Sequence, residues 1–311
     1  GFRGLAIHKI DGRDYFEARE KGAEAVARIR AGEGPGLIHA KVTRPYSHSA
    51  ADTQSKYRPM EELVDEREHD PIRLLEQELL RGGVLAPGDA ERIHEEARAV
   101  VNQAGRDALA ARRPDPSSCL DHVYVTPDIP GDGRVAGEPE NPEPVTFAEA
   151  VRRTLHEQMA GDERIRVFGE DVADAPEDVL GTVEGKGGVF GTTHGLQTRY
   201  GIARCFNTPL AEANIVGRAV GQAVRGLHPA PEVQFFDYVW PAMTQIKSEA
   251  ATIRWRSNGA FSCPMVLRIP IGGYLAGGAI WHSQCGESIF THVPGLVVMF
   301  PSRARDVVGL L

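Results

Sequence analysis

The sequence predicts an α/β protein, with parallel sheets and helices on both faces, built as two segments joined by a proline-rich acidic linker. Three observations carry this. After residue 145, apolar strand-like runs recur near 164–169, 203–207, 231–236, 263–270 and 295–300, with helical stretches such as 209–226 and 238–257 between several of them. Strands that alternate with helices need crossover connections, and crossovers favour parallel pairing. Before residue 114, helical periodicity surrounds a further apolar strand. Between the two, residues 114–144 hold 7 of the 21 prolines and 7 acidic residues against 1 arginine. Such a stretch cannot bury enough apolar surface to order itself by core packing, so it reads as a linker. The predicted organisation is 1–113, a linker over 114–144, and 145–311.

In chain order, 14–31 places Tyr15, Ala18, Gly22, Val26 and Ile29 on one helical face, and Gly32 follows where a C-terminal cap belongs. An apolar strand is predicted over 36–42, then a polar loop through Arg58. Helices follow over about 71–82 and 88–112, separated by Gly82-Gly83. Pro71 and Pro87 introduce them, since a proline at the first helical position sacrifices no hydrogen bond. Beyond the linker, Thr146-Phe147-Ala148-Glu149 has capping-box spacing ahead of a helix to about 160. Pro301-Ser302-Arg303 marks one more helix start. The chain opens on Gly1 rather than Met and stops just after that start, so a fragment cut at both ends is expected.

Composition narrows the function. The net charge of −8, most of it from the linker, leaves no basic footprint for neutralising phosphates, so nucleic acid is not expected as a partner. Apolar runs such as Gly295–Phe300 are far shorter than the ~20 residues that cross a bilayer, and no charged-apolar leader opens the chain; a cytoplasmic location is expected. Cys119, Cys205, Cys263 and Cys285 lie far apart without metal-ligand spacing, which argues for reduced thiols.

Three segments could carry chemistry. In Asn207-Thr208-Pro209-Leu210-Ala211-Glu212, a strand ends, Thr208 can cap, Pro209 can begin a helix, and Glu212 falls in its opening turn. A carboxylate there is favoured by the helix dipole whether or not it has a further role. Gly217 and Gly221, four apart in the same helix, are explained by close packing, since each otherwise weakens it. The second segment, Gly272 to Gln284, is a glycine-rich loop after a strand; it contains His282, which taken alone is more often a structural or surface histidine than a catalytic one. The third, Arg44 to Asp52, combines Arg44, His48 and Asp52 in a polar loop suited to anions and proton transfer, or simply to water.

Taken together and in order, these segments resemble the thiamin diphosphate-dependent E1 components of 2-oxo acid dehydrogenases, an alpha-type C-terminal part followed by a beta-type N-terminal part. The alpha resemblance rests on Asp11-Gly12-Arg13-Asp14, Gly34-Pro35-Gly36-Leu37-Ile38, Arg44, His48-Ser49, Asp52, Tyr57-Arg58 and Asp70-Pro71-Ile72. The beta resemblance rests on Phe168-Gly169-Glu170-Asp171-Val172, Gly187-Gly188-Val189-Phe190, Thr208-Pro209 with Glu212, Gln234-Phe235, Tyr238, Arg268, His282-Ser283-Gln284, and His292 with Pro294-Gly295-Leu296. The alpha loop departs from the usual Thr-Tyr-Arg, reading Val42-Thr43-Arg44-Pro45-Tyr46-Ser47.

The resemblance implies a thiamin diphosphate-binding fold, with 1–113 the end of a diphosphate-binding domain and 145–311 a pyrimidine-binding domain lacking the C-terminal beta domain. It implies oxidative decarboxylation of a 2-oxo acid and transfer of the acyl group to the lipoyl arm of an E2 acyltransferase. Glu212 would hydrogen-bond the aminopyrimidine, His282 would donate a proton during acyl transfer, and Gln234 and Tyr238 would line the cofactor pocket. Arg44 and His48 would meet the substrate and the diphosphate side. Mg2+ is implied too, with its ligands upstream of Gly1, because Gly131-Asp132-Gly133 has no Asn pair after it. A site divided between domains implies at least a homodimer of the fused chain. Gln234 to Tyr238 leans towards branched-chain acids such as 3-methyl-2-oxobutanoate. A pyruvate or acetoin dehydrogenase, a transketolase-like enzyme and an inactive scaffold are the alternatives.

Overall fold

The computed structural model describes residues 4–47, 49, 53–125 and 144–311. The chain divides into two compact units, Gly1–Arg113 and Pro114–Leu311.

In the first unit, β1 (Ala6–Asp11) and β2 (Gly36–Lys41) pair in parallel, Ala6 opposite Gly36 through Asp11 opposite Lys41, with α1 (Tyr15–Arg30) as the crossover. The turn into α1 is held by Asp11, whose carboxylate accepts from the Arg13 guanidinium at 2.6 Å, and by Asp14, which caps the N–H groups of Phe16 and Glu17. The Arg13 hydrogen bond brings the Asp11 carboxyl down to about 2. Three further helices follow, α2 (Met60–Glu68), α3 (Pro71–Arg81) and α4 (Asp89–Ala110). Pro71 occupies the first turn of α3 behind the Asp70 cap, as the sequence predicts. Pro87 does not introduce α4; the cap is Gly88, whose φ of +92° suits glycine. β1 and α2 are additions to the sequence reading: Ala6-Ile7-His8-Lys9-Ile10-Asp11 alternates too weakly to announce a strand. Among the described residues of this unit, the buried apolar side chains are Ile10, Ala25 and Leu63, and neither α3 nor α4 has a buried residue.

The second unit opens with Pro114–Val125. Its short turn Pro116–Leu120 docks by the Trp255 indole N–H, which donates to the Cys119 carbonyl at 3.1 Å. Next come α5 (Phe147–Gly161), β3 (Ile165–Gly169), α6 (Leu196–Tyr200), β4 (Cys205–Asn207), α7 (Glu212–Val224) and β5 (His228–Glu232). They are followed by a π-helix, Gln245–Ala250, and by α8 (Ile253–Arg256), α9 (Glu287–Thr291) and α10 (Ala304–Leu310). The strands form one parallel sheet in the order β4-β3-β5. Alternate side chains of β3 serve opposite faces, as a period of two requires. Val167 packs with Leu155 and Met159 of α5 and Leu196 of α6, while Phe168 packs with Ile215 and Ala219 of α7. Helices thus cover both faces, as expected.

Several boundaries differ from the sequence reading. Strand β5 lies at 228–232 rather than 231–236, and it contains Pro229 and Pro231. Both prolines turn their missing N–H to the side away from β3. There they only accept, from the N–H of Val266 and of Arg268. That side of the ladder lacks half its bonds, so the run predicted as a strand over 263–270 makes only an isolated bridge, Glu232 to Arg268. Residues 295–300 form no strand. The helix predicted over 238–257 is broken into two short turns, the π-helix and α8. Thr208 does not cap α7; its N–H donates to the Gly169 carbonyl at 2.8 Å, and the helix begins at Glu212 behind Ala211. Nor does close packing within the chain account for the two glycines of α7. A Cβ at Gly221 would meet nothing within 4 Å, and one at Gly217 would make an ordinary 3.5 Å contact with Gln245. All four cysteines are unpaired, and no helix among the described residues is long and apolar enough to cross a membrane.

Candidate active site

The C-terminal ends of parallel strands are where α/β sheets gather polar groups, because loops leave there and helix N-termini point back towards them. Three adjacent strand ends do so here. Glu170 directly follows β3, Glu212 is the first residue of the helix after β4, and Gln234 lies two residues past β5. The ends are tied together. The Gln234 side-chain amide donates to the Glu170 carbonyl at 3.1 Å, the Thr208 N–H to that of Gly169, and the Ala173 N–H to Asn207 Oδ1 at 2.8 Å. Gly169 lets β3 and β5 approach this closely; a Cβ there would sit 2.4 Å from the Glu232 carbonyl oxygen.

The result is a pair of carboxyl groups. Glu170 is 4 % exposed, and its Oε1 is buried with no donor facing it. Glu212 lies within hydrogen-bonding reach of the same group. Burial, then the charges of Glu212 and Asp171, push the Glu170 carboxyl up to about 7. Near neutral pH the pair therefore holds a proton that two isolated carboxylates would have lost, and Glu170 can donate to Glu212. A buried ion pair lies alongside: Arg268 Nη1 donates to Glu232 Oε2 at 2.8 Å.

Next to the carboxyls stands an aromatic group. Phe235 meets Phe190 and Tyr238 edge to face, each with ring centroids 5.9 Å apart, and meets His282 at 4.7 Å. The Tyr238 hydroxyl is 2.8 Å from His282 Nε2. Gln234 and Phe235 are consecutive, so the strand end after β5 carries both the amide side and the aromatic side.

Of the residues singled out from sequence, Glu212, Gln234, Tyr238 and His282 all lie in the second unit on these two adjoining clusters. Arg44 belongs to the first unit, where its guanidinium donates to Gln54 Oε1 at 3.2 Å and to the Tyr57 hydroxyl at 2.7 Å. His48 lies outside the described residues, as do Asp52 and Gly131-Asp132-Gly133. Glu170 and Phe235 were not named as site residues from sequence. The available signal for Glu170 was a glycine and a carboxylate closing an apolar strand, which counts for little until strand order sets it against Glu212. Among the described residues, no three His, Cys, Asp or Glu side chains are grouped to hold a metal.

The arrangement sets a buried Glu170 carboxyl, its pKa raised, beside Glu212, with the Phe235, Tyr238 and His282 rings at the neighbouring strand end. Two family models match the chain. The model for the transketolase pyrimidine-binding domain matches residues 143–311, and that for the dehydrogenase E1 component matches residues 3–117. Curated relatives include the 2-oxoisovalerate dehydrogenase beta subunit of Bacillus subtilis (strain 168), 44% identical over 54% of this chain and 47% of its own length. The 3-methyl-2-oxobutanoate dehydrogenase beta subunit of Mycobacterium tuberculosis (strain CDC 1551 / Oshkosh) is 45% identical over 54% and 44%. The pyruvate dehydrogenase E1 beta subunit of Acholeplasma laidlawii is 43% identical over 54% and 47%. The chain spans about half the length of the curated relatives it matches. With more than half of its residues inside the transketolase pyrimidine-binding model, the chain belongs to that family, and its N-terminal third is similar to the dehydrogenase E1 component.

Proposed function

We propose that this chain supplies the aminopyrimidine half of a thiamin diphosphate site in an E1 enzyme that oxidatively decarboxylates a 2-oxo acid and passes the acyl group to the lipoyl arm of an E2 acyltransferase. The observation that carries the reading is the placement of Glu170 and Glu212 at adjoining strand ends, with Glu170 buried and its carboxyl raised to about 7 by that burial and by the neighbouring carboxylates. A ring nitrogen of an aminopyrimidine needs such a partner: a carboxyl that can give and recover a proton without release to water. Glu212, at the mouth of the pair, is the contact to the ring, and Glu170 keeps the proton at hand. Gln234 ties the strand end beneath it, while Phe235 and Tyr238 wall the aromatic side.

Thiamin diphosphate, when bound, supplies the electron sink for loss of carbon dioxide, so the protein's tasks are position, proton supply and exclusion of water. His282 is the proton donor for acyl transfer in this reading. Arg44 and His48, on the alpha-type segment, would by the family resemblance meet the substrate and the diphosphate side. Mg2+ belongs to the same proposal as counterion of the diphosphate, and a homodimer of the fused chain is the proposed minimum assembly. The domain assignment is likewise proposed: 1–113 alpha-type, 145–311 beta-type. Relatives named for 2-oxoisovalerate and 3-methyl-2-oxobutanoate support branched-chain acids as substrates, and a relative named for pyruvate supports the second reading.

The test is cofactor- and Mg2+-dependent decarboxylation by the complete enzyme of 3-methyl-2-oxobutanoate, pyruvate and 2-oxoglutarate, using an artificial electron acceptor. Turnover of the branched-chain acid, with Glu212→Gln slower by roughly a hundredfold or more, is the expected result. Turnover of pyruvate alone would move the substrate to the second reading. No reaction with any acid while cofactor binds would overturn the E1 assignment.

A further inference from the structure

His282 is held on three sides. Its Nδ1 lies 3.1 Å from the Gly278 carbonyl oxygen, its Nε2 lies 2.8 Å from the Tyr238 hydroxyl, and the Phe235 ring stands at 88° to the imidazole. A carbonyl oxygen can only accept, so the hydrogen bond to Gly278 requires the proton on Nδ1. Neutral Nε2 is then a lone pair, and the Tyr238 O–H donates to it. The loop that presents the ring is built for this contact. A Cβ at Gly278 would press to 3.1 Å from His282 Cβ, and Ala279 takes a left-handed φ of +48°, which a non-glycine residue adopts only under constraint. Gln284 anchors the far end through its carbonyl, which accepts from the Gly272 N–H at 3.0 Å, and through its side chain, which donates to the Ile280 carbonyl at 3.3 Å.

We propose that Tyr238 is a positioning residue that, with the Gly278 carbonyl, holds neutral His282 as the Nδ1–H tautomer and so makes Nε2 the atom through which it takes up and gives its proton. The inference rests on the proposed function for the purpose of that proton. When Nε2 gains a proton, the phenol turns from donor to acceptor and keeps the ring in place. In acyl transfer Nε2 would supply the proton to the sulfur released as the lipoyl S–S bond opens and the new carbon–sulfur bond forms, the phenol yielding its place at Nε2 to that sulfur. The phenol then donates to the bared nitrogen again. A hydroxyl serves both states because it can donate or accept; a backbone carbonyl in its place could not.

Two-bond nitrogen–proton NMR of the histidine-labelled chain reads the tautomer directly, with the resonance assigned through His282→Asn. The expected spectrum shows a protonated Nδ1 and a bare Nε2 on His282 in the parent chain. In Tyr238→Phe the Nε2 resonance shifts and the Nε2–H tautomer becomes populated. In the complete enzyme, Tyr238→Phe lowers acyl transfer to a lipoyl acceptor relative to decarboxylation by roughly tenfold. A proton on Nε2 in the parent chain, or a spectrum unchanged in Tyr238→Phe, overturns the inference and leaves the E1 reading standing. If the tautomer is as described but His282→Asn transfers acyl groups at the parent rate, the role of His282 in the E1 reading falls, and the purpose given to Tyr238 falls with it.

Discussion

In the C-terminal unit each strand of the sheet carries a side chain closed to solvent: Val167 and Phe168 on β3, Cys205 on β4 and Pro229 on β5. In the N-terminal unit the paired strands leave Ile7, Leu37 and Ile38 roughly half exposed, and Val100 and Val101 of α4 stand about 70% exposed. The helices of that unit are nonetheless well formed. They rest on local devices: the Asp14 and Asp70 caps, the glycine start of α4, and pairs one turn apart such as Arg92 with Glu96. Devices of this kind contribute a few tenths to about 1 kcal/mol each. A fully buried Phe or Leu contributes about 1.5–3 kcal/mol. Local signals can therefore write a helix without saying what it packs against, and the two units differ in what they bury rather than in how well their elements are specified.

The contrast is open to measurement by chemical denaturation, starting with the largest effect. Phe168→Ala removes a ring stacked on Phe206 at 5.1 Å in the covered face of the sheet. It should destabilise the second unit by about 3–5 kcal/mol; a loss below ~1 kcal/mol would end the distinction drawn between the units.

Carboxyl titration should separate them next, with opposite signs. Glu170 in the second unit is raised from 4.5 to about 7, so the folded state keeps a proton that the unfolded chain has already released. Its contribution is full below 4.5 and is lost as pH rises through about 7, and Glu170→Gln should flatten that part of the stability curve. Asp11 in the first unit is lowered from 3.8 to about 2 by Arg13. Its contribution is present above 3.8 and lost as pH falls through about 2, and Asp11→Asn should remove that acid limb.

Asp70→Ala deletes the acceptor for the Ile72 N–H at the start of α3 and should cost about 1 kcal/mol, seen as lost helicity in the first unit with the second unchanged. Val100→Ala, at an exposed position, should stay within ~0.5 kcal/mol. A large loss there would mean that α4 has a buried face that the described contacts do not include.

Much of this architecture is legible in the sequence, for reasons the contrast explains. Helices with a cap and a period, α1, α3 and α5, are found within a residue or two. Strand β3 is found because Ile165, Val167 and Phe168 form an apolar run, interrupted only by Arg166 and bounded by polar residues. Strand β5 lies a few residues upstream of the predicted run, and only the direction of the missing donors of Pro229 and Pro231 shows why the sheet tolerates them. The π-helix is invisible because nothing in Gln245 to Ala250 marks a wider turn. At the site, Glu212 and His282 are singled out by the family resemblance, because a helix start and a glycine-rich loop alone suit a dipole-favoured carboxylate and a structural histidine equally well. Glu170 is not legible as a site residue, because its meaning comes from the strand order β4-β3-β5, which sets it beside a residue 42 positions away.

That strand order also dictates a timetable for synthesis. β3 is the middle strand, yet both its neighbours are made after it, β5 ending at Glu232 about 60 residues later. At about 5–20 residues per second on the ribosome, the middle strand waits roughly 3 to 12 seconds for its second edge. α5 is already made and can shelter the Val167 side, but the cover for Phe168, Ile215 and Ala219 of α7, is still to come. The nascent chain thus carries one unprotected apolar face through that interval, and this is the stage at which a chaperone, or a neighbouring copy on the same message, would meet it.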